Sequence, residues 1–266
     1  MATEVRSSRI LTTFFALLVA GIVAWVLVLL AIWRVPITTL ATPERLPETA
    51  LTVYMVGLYL WLMTLVGVVW RKIARRSWSE MGLRPSWRLF ARGLLFGVGM
   101  LAIIMGVESL LGWARFVPPA AWPLGIVLGS LGAALAFAIS EEVLFRGFFL
   151  RTLALSLSPA RAILISALIY ASLHFLRTNL TVADLVLFLV LAGIGIVLAI
   201  ATLRTGTIWL SVGLHFSWIA FFSLSQQLKL WSWADTGLPL VGGSSIGLLA
   251  LPLLIPLAFM VNRRHG

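Results

Sequence analysis

The sequence predicts an all-α integral membrane protein of about eight transmembrane helices, with an intramembrane cavity open toward the cytoplasm. Composition is the first reason. The chain has 266 residues, 61% hydrophobic and only 11% charged, with a mean hydropathy of +1.06. A soluble domain carries about 25% charged residues, so too little polar surface remains here to cover a water-facing globule. The second reason is run length: the hydrophobic stretches approach the roughly 20 residues that a bilayer span needs. The third is the placing of charge. Net charge is +11, from 20 Lys plus Arg against 9 Asp plus Glu, and the basic residues fall mostly between hydrophobic runs. Orientation by the positive-inside rule accounts for that better than nucleic-acid binding does. The sequence contains no Cys, which excludes disulfides, thiolate nucleophiles and Cys-ligated metal.

The spans follow in order. Span 1 is expected over Ile10 to Trp33, span 2 over Ala50 to Trp70, and span 3 over Leu89 to Trp113. Span 4 starts near Trp122. Span 5 covers Arg161 to Leu176, span 6 Val182 to Leu203, span 7 Thr207 to Leu228, and span 8 Ser245 to Val261. The first run lacks a small-residue cleavage site and is too long for a signal h-region, so it reads as a retained span. Trp33, Trp70, Trp113, Trp122, Trp231 and Trp233 fall at span ends, as interfacial anchors do. Gly93, Gly97, Gly125 and Gly129 give small-xxx-small spacing on spans 3 and 4, which suits close helix packing.

Loops alternate in charge. Arg6 and Arg9, the cluster Arg71, Lys72, Arg75, Arg76, Arg84, Arg88 and Arg92, then Arg151 and Arg161, Arg204, and Arg263 and Arg264 lie on one side. The other loops carry Arg34, Glu44, Arg45 and Glu48, then Arg115, then Arg177 and Asp184, then Lys229 and Asp235. This pattern places both termini in the cytoplasm, and the first cluster can also meet anionic headgroups. A bacterial cytoplasmic membrane is the expected location. The chain reads as one membrane domain. Residues 1–82 hold spans 1 and 2 with a basic loop, residues 83–230 a core of spans 3 to 7, and residues 231–266 a loop and span 8.

Ionisable groups inside a span cost about 2.5–3.5 kcal/mol each on insertion scales, so they are functional candidates. Glu108 lies near the outer end of span 3, where it is expected to reach headgroups. Glu141, Glu142 and Arg146 stand in Ser140-Glu141-Glu142-Val143-Leu144-Phe145-Arg146-Gly147. Glu142 and Arg146 are four apart and share a helical face, so they can form an ion pair. Glu141 is rotated by about 100° from its neighbour and can face a cavity. One carboxylate is thereby held and the other is available for proton transfer. The competing reading is an ion cluster that only stabilises a helix at the interface.

His174 and His215 are lone histidines within spans 5 and 7; His265 is in the tail. A lone helical histidine often merely bonds a neighbouring helix. Two of them beside a Glu pair favour a site. At about 1.5 Å per residue, His215 and His174 lie roughly 12 and 20 Å from the cytoplasmic starts of their spans. Glu141 joins that layer, at roughly 15 Å, only if its helix runs past Arg146 to about Arg151. Phe148-Phe149-Leu150 supports continuation, and Ser158-Pro159 supplies an N-cap and first-turn Pro for span 5.

At these residues the chain resembles the CPBP family, the CAAX prenyl proteases and bacteriocin-processing or immunity proteins, also called the Abi family. Its EExxxR motif corresponds to Glu141-Glu142-x-x-x-Arg146, extended to EEVLFRG, and its FxxxH motif to Tyr170-x-x-x-His174. Its HxxxN or HxxxD motif is met only by His215, with Ile219 four residues on. The resemblance covers about Leu83 to Phe222. It implies an intramembrane glutamic endopeptidase acting on a hydrophobic or prenylated peptide, with Glu141 and His174 activating water and His215 stabilising the oxyanion. Glu142 and Arg146 support them; Tyr170, Ser211 and Ile219 line the cavity. No cofactor is implied, and the partners are membrane lipids and the peptide, with no nucleic acid. Three other readings stay open. Zinc could be held by His174, His215 and a Glu. The chain could be a non-catalytic pseudopeptidase acting in immunity or as a membrane scaffold, which Ile219 favours. A transporter with a Glu/His relay is disfavoured by the absence of inverted repeats.

Overall fold

The computed structural model describes residues 7–34, 47–174, 181–234 and 250–262. Arg6, Glu44, Arg45, Arg177, Asp235, Arg263, Arg264 and His265 lie outside the described residues, as does the start of the expected span 8. The described residues are helical almost throughout, and the chain divides into two compact units, Met1–Ser77 and Trp78–Gly266. Among the described residues, five helical stretches are long and apolar enough to cross a membrane: Ser7–Trp33, Val56–Ile73, Trp87–Leu110, Leu124–Leu153 and Val182–Thr205. The protein is an integral membrane protein.

The first unit is a helix pair. Helix α1 spans Ser7–Trp33, and α2 spans Glu48–Val68 and runs on as a π-helical turn, Val69–Ile73. The pair is keyed by reciprocal knobs: Trp61 lies against Gly21, and Trp25 lies against Gly57. Each glycine leaves the space that the opposing indole fills. The Trp25 indole also donates to the Tyr54 carbonyl at 3.3 Å. Trp70, expected as an interfacial anchor, is instead buried, and its indole N–H donates to the Ser77 carbonyl at 2.8 Å.

The second unit contains α3 (Trp87–Leu110), α4 (Leu124–Glu142), α5 (Leu150–Leu153), α6 (Pro159–Leu173), α7 (Val182–Thr205), α8 (Trp209–Leu228) and α9 (Ala250–Asn262). A short antiparallel ribbon pairs β1 (Ala114–Phe116) with β2 (Trp231–Trp233), Arg115 opposite Ser232. Local chemistry sets the ends. Ser86 accepts the Leu89 N–H at the start of α3, and Thr181 and Asp184 form a reciprocal capping box on α7. Gly206, at φ +71°, closes α7 in the left-handed conformation. Pro159 sits in the first turn of α6 as expected, but Ser158 makes no side-chain cap bond.

Helix α8 packs against α3, α4 and α7. Its seam with α3 is built on close backbone approach. A methyl group on Gly93 would meet the Leu210 carbonyl, and one on Gly213 would meet the Phe90 carbonyl. Gly97 leaves room for the Ser217 side chain. Gly125 and Gly129 have nothing within 4 Å of where a side chain would begin. The close helix packing expected from the spacing is present at Gly93 and Gly97, against α8, and absent at Gly125 and Gly129.

The connection between α4 and α5 never breaks. A π-helical turn, Val143–Phe149, carries the helix from Glu142 into α5, so one continuous helix runs from Leu124 to Leu153. The loop before α3 is strapped to this end. The Thr207 hydroxyl donates to the Gly82 and Arg84 carbonyls at 2.8 and 3.0 Å, and Ile208 N–H donates to Gly82 at 3.1 Å. Arg151 donates to the Gly206 carbonyl at 2.8 Å. Met81 is buried against Gly147, where any side chain would collide with it. The glycine that ends the EEVLFRG stretch thus admits this strap.

Candidate active site

Three helices meet at one polar cluster. Glu141 and Glu142 occupy the last turn of regular helix in α4, where the π-helical turn begins. Such turns widen the helix and re-aim side chains, and they recur at functional sites. Arg146, inside that turn, forms an ion pair with Glu142 at 3.1 Å, with side-chain exposures of 1% and 0%. The pairing expected from their i, i+4 spacing is present. The guanidinium lies 4.5 Å from the ring centre of Tyr170 on α6 and 5.7 Å from that of Phe145. Tyr170 is itself buried and packs edge-on against Phe145 at 5.0 Å, while the Ser166 hydroxyl donates to the Phe145 carbonyl at 3.2 Å. These contacts fix α6 against the π-helical turn.

His215 enters from α8. Its Nδ1 lies 2.9 Å from Glu142 Oε1, and its Nε2 lies 3.7 Å from Glu141 Oε2 and 3.5 Å from the Tyr170 hydroxyl. The carboxylate of Glu142 can only accept, so Nδ1 carries the proton and Nε2 is the nitrogen presented to Glu141 and Tyr170. Glu142 therefore bridges Arg146 and His215 through one oxygen, and the imidazole orientation is set by that bond. Glu141 is the more accessible carboxylate, at 19% exposure. Its buried Oε2 has no hydrogen-bond partner, nor does Glu142 Oε2, nor do the guanidinium nitrogens of Arg146, whose ion pair lacks hydrogen-bond geometry. Charged groups so incompletely matched in an apolar interior cost stability, which is the expected mark of a site kept for chemistry.

The other expected site residues are placed differently. His174 stands at the C-cap of α6, not within the helix, and is exposed. The reason is local. His174 N–H bonds back to Ala171, tightening the last turn, and the Tyr170 carbonyl so released accepts from His174 Nδ1 at 2.8 Å. The His174 ring also packs on Tyr170 at 4.7 Å. It thus joins the cluster through Tyr170 and makes no ion pair with either carboxylate. Ser211, though one turn from His215, is turned to α7: its hydroxyl donates to the Leu198 carbonyl at 2.9 Å and shares a hydrogen bond with Thr202 at 2.8 Å. Ile219 packs against an apolar group of Phe90, Ala138, Ile208 and Val212, alongside Ile139 and Val143. Glu108, expected at the headgroups, is buried on α3.

Two contacts were not foreseeable from the sequence. The Glu142–His215 bond joins residues 73 apart, and the Tyr170–His215 contact joins residues 45 apart. The only signal for the second was a hydroxyl on an aromatic residue four positions before His174. Among the described residues, no group of three His, Asp or Glu side chains is arranged to hold a metal ion.

Chemically, the cluster offers an accessible carboxylate beside an oriented imidazole, with a cation and a phenol behind them. That set can move a proton and stabilise developing negative charge. Residues 122–221 match the family model described as type II CAAX prenyl endopeptidase Rce1-like, and every residue of the cluster falls within that range. No curated protein and no solved structure matches the chain. The segment that carries the polar cluster is thus similar to the type II CAAX prenyl endopeptidases of the Rce1-like family.

Proposed function

We propose that the protein is an intramembrane endopeptidase that cuts a membrane-associated substrate, a CAAX-type prenylated protein or a hydrophobic leader peptide. The observation that carries this reading is the Glu141–His215–Glu142–Arg146 cluster, buried between helices and lying inside the family match. Glu141 takes a proton from water as the oxygen attacks the peptide carbonyl carbon. The oxyanion forms beside His215, which takes a proton from the medium on Nε2 before the attack and gives it back after product release, so that Nε2–H donates to the oxyanion while Nδ1–H stays on Glu142. When the C–N bond breaks, Glu141 returns the proton to the leaving nitrogen. The resemblance assigns the water-activating partner of Glu141 to His174; the distances favour His215 as the nearer group, with His174 steadying Tyr170.

The basic loops support eight spans with both ends and the cavity mouth facing the cytoplasm of a bacterial cell. The absence of Cys makes this directly testable by labelling single cysteines placed in each loop.

The test is cleavage by the purified protein in lipid vesicles, offered a farnesylated CAAX-type peptide and a hydrophobic leader peptide. Glu141→Gln keeps size and removes the base. Loss of at least about 10²–10⁴-fold in rate is expected, the usual contribution of a positioned base, with an unchanged melting curve. Undiminished cleavage by that variant sinks the assignment. Activity that survives a chelator separates this mechanism from the zinc-dependent one. A second reading, a non-catalytic scaffold or immunity factor, is favoured by the apolar packing of the partly buried Ile219. It predicts biological activity retained in a Glu141/His174 double variant that cleaves nothing.

A further inference from the structure

We propose that the hydroxyl of Tyr170 is a catalytic donor to the oxyanion, in place of a polar side chain four residues after His215. The inference rests on the proposed peptidase reading and deepens it at the same site.

A tetrahedral oxyanion in an apolar interior needs more than one donor, because water is not there to solvate it. His215 supplies one through Nε2. The position one turn further along α8 is Ile219, which has no donor and lies in apolar packing. The two α8 hydroxyls within one turn of His215 are spoken for. Ser211 is bonded to Leu198 and Thr202, and Ser217 donates to the Leu214 carbonyl at 2.7 Å. The Tyr170 hydroxyl is different. It reaches the same Nε2 of His215 that faces Glu141, at 3.5 Å, so it lies beside the one imidazole nitrogen open to the accessible carboxylate.

The hydrogen-bond arithmetic makes the hydroxyl available at the right moment. With His215 neutral, Nδ1–H is given to Glu142 and Nε2 accepts from Tyr170. With His215 protonated, Nε2 becomes a donor and can no longer accept. The Tyr170 O–H is then released, and it and Nε2–H point toward one place. The ring cannot drift. Phe145 holds its edge, Arg146 covers a face, and His174 packs edge-on against it and holds the Tyr170 carbonyl. Positioning a donor within a few tenths of an ångström is what such contacts achieve. They also give His174 a role that needs no contact with the carboxylates.

Tyr170→Phe removes only the oxygen and keeps every ring contact. In the vesicle assay, using whichever of the two peptides the wild type cleaves, the variant is expected to lose about 10²–10³-fold in kcat, the usual effect of removing one oxyanion donor. KM should stay within about threefold. A phosphinate analogue of the cleaved peptide, which mimics the tetrahedral intermediate, should bind more weakly to the variant by a similar factor. The uncleaved ketomethylene analogue should bind equally to both. A kcat within threefold of wild type, with Glu141→Gln inactive, overturns the donor role and leaves the peptidase reading standing. Equal weakening of both analogues also overturns it, since that is what a structural role produces. A wild type that cleaves neither peptide removes the peptidase reading and the donor role together.

Discussion

Helix α8 has two working faces, and they are held by opposite means. On one, Gly213 brings the backbone of α3 so close that no side chain fits between, Gly93 does the same from the other helix, and Gly97 leaves room only for the Ser217 side chain. On the other, His215 meets α4 and α6 through side chains alone, with gaps of 2.9 to 3.7 Å between polar atoms. Gly213 and His215 are two positions apart, about 200° around a helix. The seam has no adjustable parts, so it dictates how far α8 is rotated and inserted, and hence where the imidazole sits. The cluster can then consist of imperfectly matched charges, because it does not have to hold the helices together.

That division is open to direct attack. The largest loss of stability is expected from Arg146→Met. It leaves Glu142 buried without its cation, which costs about 3–5 kcal/mol, and it should also end cleavage by freeing the carboxylate that orients His215. Unfolding by SDS titration in mixed micelles reads the first effect and the peptide assay the second. Gly213→Ala comes next. Its added methyl would lie 2.8 Å from Leu94 N and closer still to the Phe90 carbonyl, so about 1–3 kcal/mol should be lost by overpacking. Activity should fall with it, because the seam must open and His215 moves. The smallest effect has the opposite sign. Gly99 lies on the same α3 but has nothing within 4 Å, so Gly99→Ala should stabilise the helix by about 0.5–1 kcal/mol without changing cleavage. Equal effects at Gly213 and Gly99 in that titration would dissolve the distinction between seam and surface.

Much of this was legible in the sequence where the relevant physics is local. The ion pair of Glu142 and Arg146 follows from one helical turn, and Phe148-Phe149-Leu150 announced that the helix continues beyond it. Ionisable residues in apolar runs marked Glu141, Glu142 and His215 without any structure. What the sequence hid depends on rotation between helices. Ser211 and His215 share a face by spacing, yet Ser211 is drawn to the carbonyl of Leu198 on α7. Gly125 and Gly129 repeat the spacing of Gly93 and Gly97, but only the latter two find a helix against them. His174 was misplaced for a smaller reason: its own side chain captures the Tyr170 carbonyl and ends the helix at that point. The nitrogen of His215 that is available for chemistry is also unreadable from spacing, because Glu142 decides it from 73 residues away.

The shortness of the Glu142–Arg146 link bears on how the protein is made. A ribosome delivers the chain from the N-terminus, and this pair is complete as soon as one turn of α4 has formed. The helix can thus enter the bilayer with its most deeply buried charge already matched, before α6 or α8 exists. The imidazole arrives later, on a separate helix. A chain interrupted anywhere before α8 therefore holds Glu141 with no oriented histidine beside it. On the proposed peptidase reading, copies that lack α8 are hydrolytically silent, and the ability to cut bonds appears only once α8 is in place.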